Sequence, residues 1–109
     1  MRVIDMHTHI FPDKIAAKAT VATADYFDLP EPPNHYGSVG ELVETLEGAG
    51  IDYAMVFSAA TTAHQVEHIN RYIWEEALKQ PRFIPCGTLH AEYEDYRDEL
   101  AWMREHGIF

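Results

Sequence analysis

The sequence predicts an α/β fold: the first three βα units of a (β/α)8 TIM-type barrel, incomplete over residues 1–109 and forming a single partial domain. Three observations predict it. Strand-like apolar runs alternate with amphipathic helical stretches, the pattern that goes with right-handed crossovers and a parallel sheet. The strand runs are almost continuously apolar, as in a sheet covered on both faces. The last helical stretch closes at Gly107, and Ile108-Phe109 read as the opening of a fourth strand. A barrel of this kind needs roughly 250 residues, so the expectation is an N-terminal fragment. A complete small α/β domain is the competing reading.

Val3–Met6 is the first strand, an apolar run broken only by Asp5. Asp13–Phe27 follows Pro12 and has the alanine content and length of a helix. Asp28–Gly37 holds Pro30, Pro32 and Pro33 and must be a loop. Ser38 and Glu41 then form a capping box ahead of Val39, Leu42, Val43 and Leu46 at helical spacing, and Gly48 and Gly50 end that helix. Ile51–Phe57 is the second strand. Thr62 and Gln65 suggest a second capping box, opening a helix to about Lys79 with Val66, Ile69, Ile73 and Ala77 as its apolar stripe. Phe83–Leu89 is the third strand, with Pro85 where no ladder donor is needed. A final helix shows Tyr93, Tyr96, Leu100 and Met103 on one face.

Composition narrows the function. The chain is 47% hydrophobic and 24% charged, too apolar for intrinsic disorder. Its formal charge of −10 opposes nucleic acid and anionic membrane surfaces as partners. One cysteine excludes an intramolecular disulfide. No apolar run approaches a membrane span and no signal-peptide pattern opens the chain, so the expected location is cytoplasmic.

The residues able to do chemistry gather at strand ends. His7-Thr8-His9 closes the first strand, where side chains two apart point to one face, so both imidazoles can converge on one divalent ion. Asp5 falls on the same face by that rule and is a candidate to orient a ligand imidazole. The spacing alone carries little weight among seven histidines. Placement at the carboxyl end of a strand is what raises it. His90, at the end of the third strand, is a candidate to line a substrate pocket, hydrogen-bond a ligand or cap the next helix. Ser58 and Thr61 share that address after the second strand but have no base beside them.

His64-Gln65-Val66-Glu67-His68 fits the inverted zinc-protease pattern, two imidazoles four apart on a helix with Glu67 as base. Its plainer reading is a solvated helix face. Cys86 reads as packing, His106 as a helix C-terminal residue, and His35 and Tyr36 as loop residues on a possible rim.

Ile4-Asp5-Met6-His7-Thr8-His9, followed by Ile10-Phe11-Pro12, resembles the opening of amidohydrolase-superfamily proteins, especially the amidohydrolase-related group that includes zinc-dependent decarboxylases. Gly50-Ile51-Asp52 with Met55–Ser58 looks like that group's second strand, and Phe83–His90 like its third. The resemblance implies a metal-dependent hydrolase or carboxy-lyase, cleaving C–N or ester bonds or removing a carboxylate from a small-molecule substrate. It implies zinc as the divalent metal, His7 and His9 as first-strand ligands, and His90 facing the pocket. It places the remaining ligands and the catalytic aspartate beyond Phe109, so the 109-residue chain by itself is expected to be inactive. The rival from another class is a truncated non-enzymatic product or an assembly module. Either way, open sheet edges are expected to drive self-association.

Overall fold

The computed structural model describes residues 1–29 and 33–109. Pro30–Pro32, the middle of the expected proline-rich loop, lies outside the described residues. Three strands, β1 (Ile4–His9), β2 (Tyr53–Phe57) and β3 (Phe83–Pro85), form one parallel sheet in the order β1-β2-β3. Helices α1 (Asp13–Tyr26) and α2 (Val39–Ala49) lie between β1 and β2. A 3-10 turn (Ala63–Gln65) runs into α3 (Val66–Lys79), and α4 (Tyr96–Glu105) follows β3.

Local chemistry sets these boundaries. The Ser38 hydroxyl accepts from the Glu41 N–H while the Glu41 carboxylate reaches back to the Ser38 N–H, so both halves of the capping box start α2. Gly50, at φ 66°, closes it in the left-handed region that a side chain rarely enters. At the head of the 3-10 turn, Gln65 Oε1 accepts from the Thr61 and Thr62 N–H groups.

The core lies on one side of the sheet. Ala54 and Val56 of β2 and Phe83 of β3 meet Leu46 of α2 and Ile73 of α3, with Ile10 beside them. Full burial of side chains such as Leu46, Ile73 and Val56 is worth ~1.5–3 kcal/mol each. The opposite face is the less covered one. Ile4 is 44% exposed, and Tyr53, Met55, Phe57 and Ile84 are only half-buried.

Four expectations are corrected here. The first is the fold class: three successive units of a (β/α)8 barrel are not what forms. Two helices separate β1 from β2, β3 has three residues, and the product is a three-stranded parallel sheet with four helices. Open and closed sheets share parallel pairing and right-handed crossovers, so element order carried no information about closure. The second is the sheet covered alike on both faces; full burial is confined to the side of Leu46 and Ile73, and the other side is half-buried.

The third is the strand over Phe83–Leu89, which stops at Pro85. Beyond it the Thr88 N–H and carbonyl are both held by the Asn70 side chain, at 2.8 and 3.1 Å, instead of by a strand. Phe109 takes the outer edge there, donating to the Pro85 carbonyl and accepting from the Gly87 N–H. The fourth is the apolar stripe of the last helix. Tyr96 and Leu100 are exposed, whereas Met103 and the charged Glu99 are buried. Glu99 is tolerated because Arg71 grips its carboxylate through two nitrogens, at 2.7 and 3.1 Å, and Asn70 donates to it at 2.8 Å. Arg71 in turn lies 3.4 Å from the centre of the Trp102 ring.

Candidate metal centre

β1 carries the candidate ligands, and its irregularity decides how they point. Ile4 and Asp5 pair with Tyr53 and Ala54, while Thr8 and His9 pair with Val56 and Phe57, so one extra residue is accommodated between Asp5 and Thr8. This bulge breaks the two-residue alternation. Thr8 turns to the helix-covered side, where its hydroxyl donates to the Met55 carbonyl at 2.8 Å. His9 falls in register with Phe57 on the less covered side, and His7 joins it there, its ring 5.5 Å from that of Phe57.

The two imidazoles converge. His7 Nε2 and His9 Nε2 are 3.1 Å apart. Without a metal, that contact is a hydrogen bond between opposite tautomers, one ring donating and the other accepting. Two nitrogens bound at 2.0–2.1 Å to one tetrahedral zinc ion would stand about 3.3 Å apart, so the pair fits a shared ion with only a slight adjustment. Burial against its neighbours, and secondarily the charge of His7, hold the His9 imidazole below its ordinary pKa. The neutral form is the one that ligates. Phe11 stacks on His9 at 6.4 Å and Phe57 lies 6.2 Å from it, so aromatic rings wall the pair.

Asp5 does not stand where strict alternation puts it. Its register partner is Ala54, on the helix-covered side, and its carboxylate accepts from the backbone N–H of His7 at 3.1 Å. The contact holds the bulge and leaves both imidazole rings untouched. His90 lies half-buried in the turn after β3, its Nδ1 accepting from the Glu92 N–H at 3.2 Å. Among the described residues, no group of three or more His, Cys, Asp or Glu side chains is placed to hold a metal ion, so neither His90 nor Asp5 completes the pair.

The second histidine motif is arranged differently from the single helix face expected. His64 belongs to the 3-10 turn and His68 to α3. With Glu67, Arg71 and Tyr93 they line an open cavity of about 470 Å³. Glu67 is already engaged there, accepting from the Tyr93 hydroxyl at 2.7 Å, and this bond raises the Tyr93 pKa to about 12. Cys86 is buried, which pushes its thiol pKa up and away from nucleophilic use. His106 caps α4, its Nδ1 2.8 Å from the Trp102 carbonyl.

Sequence reasoning missed Phe57 and Phe11 as walls of the site. Phe57 was legible only through the β1–β2 register, which one bulge changes. No helix among the described residues is long and apolar enough to cross a membrane. No protein-family model matches the sequence, and no curated protein matches it significantly.

Proposed function

We propose that this chain supplies two histidine ligands, His7 and His9, to a divalent metal site, most naturally zinc, in a metal-dependent hydrolase or carboxy-lyase acting on a small molecule. The single observation that carries the metal reading is the 3.1 Å separation of the two Nε2 atoms at the end of β1. The class of reaction rests on the resemblance of Ile4–Pro12 to the opening of amidohydrolase-superfamily proteins.

A bound zinc ion would polarise a substrate carbonyl or carboxylate and make water acidic enough to act at neutral pH. The chain's own residues have narrower tasks. His7 and His9 present neutral Nε2 lone pairs to one point. Asp5 fixes the bulge that brings His7 to the same side as His9. Phe11 and Phe57 keep water from one flank of the imidazoles and support their orientation.

Side-chain nitrogen NMR during a zinc titration tests this reading. The Nε2 resonances of His7 and His9 are expected to shift together, with those of His35, His64, His68, His90 and His106 unmoved. A shift confined to His64 and His68 would transfer the metal to the other motif and end the proposal.

A further inference from the structure

We infer that Gly37 is a positioning residue of the histidine pair: it seats the Phe11 ring that fixes the plane of the His9 imidazole. The inference rests on the metal reading of His7 and His9.

His9 needs such support. A ligand imidazole is usually oriented by a hydrogen bond to its second nitrogen. Among the described residues, the one hydrogen bond to the His9 ring is the bond its Nε2 shares with His7. Its orientation therefore falls to the aromatic rings beside it. Phe57 is tilted 45° to the imidazole, whereas Phe11 lies within 11° of its plane with the ring centres 6.4 Å apart. A near-parallel neighbour at that range is the one that sets the plane.

Phe11 is held in turn by Gly37. The Gly37 carbonyl accepts from the Phe11 N–H at 2.8 Å. A Cβ at position 37 would come within 2.9 Å of Phe11 Cδ2 and 3.3 Å of Cε2. The position is glycine for a second reason, a φ of 77°. Any side chain there must move the ring, and the ring cannot move without releasing His9.

The seat is itself anchored from both helices that lie between β1 and β2. Thr20 of α1 donates its hydroxyl to the Tyr36 carbonyl at 2.8 Å. Glu41 of α2 accepts from the Tyr36 N–H at 3.2 Å and from the Ser38 N–H at 3.3 Å. Gly37 is thus fixed on either side, and the α2 cap and the metal site share one short segment of backbone.

Zinc titration by calorimetry on the whole chain, with thermal unfolding to verify folding, tests this. Gly37→Ala should weaken zinc binding about tenfold. Gly37→Asn should do the same, because asparagine accepts a positive φ but still carries a Cβ. Phe11→Leu should weaken it as much, and adding Gly37→Ala to that variant should cost no further affinity, a coupling that mere loss of stability would not produce. In the zinc-free chain, the His9 ring-proton resonances should move in both Gly37→Ala and Phe11→Leu. Native affinity in folded Phe11→Leu, or in the folded Gly37 variants, would overturn the positioning role and leave the metal reading standing. Additive losses in the double variant would overturn the route through the ring. A native chain that binds zinc no better than His7→Ala/His9→Ala would overturn the metal reading and this inference with it.

Discussion

Replacing Asn70 with alanine tests the polar clamp that ties α3 to the turn after β3 and to α4. Asn70 is fully buried, donates to the Thr88 carbonyl and to Glu99, and accepts from the Thr88 N–H. Its removal leaves the Thr88 N–H without its partner, at a cost of ~1 kcal/mol for a group only partly shielded from water. It also strips one bond from a buried carboxylate, at ~1.5–3 kcal/mol for a hydrogen bond to a charged group. Arg71 still holds Glu99, so the sum should stay near ~3 kcal/mol and not approach the loss of a whole buried ion pair. Trp102 reports on the same cluster through its contact with Arg71, so urea unfolding followed by tryptophan fluorescence reads the change directly. Asn70→Asp should cost more than Asn70→Ala at neutral pH, because it sets a second carboxylate against the buried Glu99. A loss under ~1 kcal/mol for Asn70→Ala, with an unchanged denaturant slope, would refute the clamp.

Three other outcomes follow from the same packing. Ser38→Ala should cost ~1 kcal/mol of stability by removing the α2 cap. The Glu41 carboxyl is held below its ordinary pKa chiefly by its hydrogen bonds to Ser38, so its contribution is present above the ordinary carboxylate range and fades as pH falls through its folded value. Acid titration of stability should therefore be shallower in Ser38→Ala than in the native chain. Gly87→Ala would bring a Cβ into collision with Met103 Sδ and against Ile108, and should cost ~1–3 kcal/mol. Met103→Ala should then cost less in that background than in the native chain, as a double-mutant cycle by thermal unfolding would show. Ile73→Ala, at a fully buried centre of the core, should cost ~2–5 kcal/mol by the same assay.

What was legible in the sequence followed local chemistry. The α2 boundaries came from Ser38, Glu41 and Gly50, whose roles are settled within one helical turn. The stripe of α3 was legible because Ile69, Ile73 and Ala77 recur at helical spacing and join the core with the strand residues. The α4 face was misread because a buried Glu99 is stable only with Asn70 and Arg71, 29 and 28 residues away. No periodicity announces such a partner. At the site, the strand-end position of His7 and His9 was legible, but the place of Asp5 was not. One bulged residue reverses the facing of every side chain before it relative to those after it. Barrel closure was the least legible feature, since it depends on how strands are arranged in space and not on their order along the chain.

The convergence of His7 and His9 on one divalent ion is the claim on which the functional reading stands. Isothermal titration of zinc into the native chain, His7→Ala, His9→Ala and the double variant tests it most directly. The account predicts saturable binding by the native chain, weakened by at least about 1.4 kcal/mol, or tenfold, when either imidazole is removed, and no binding at the site when both are gone. Equal zinc affinity in the native chain and the folded double variant would contradict it.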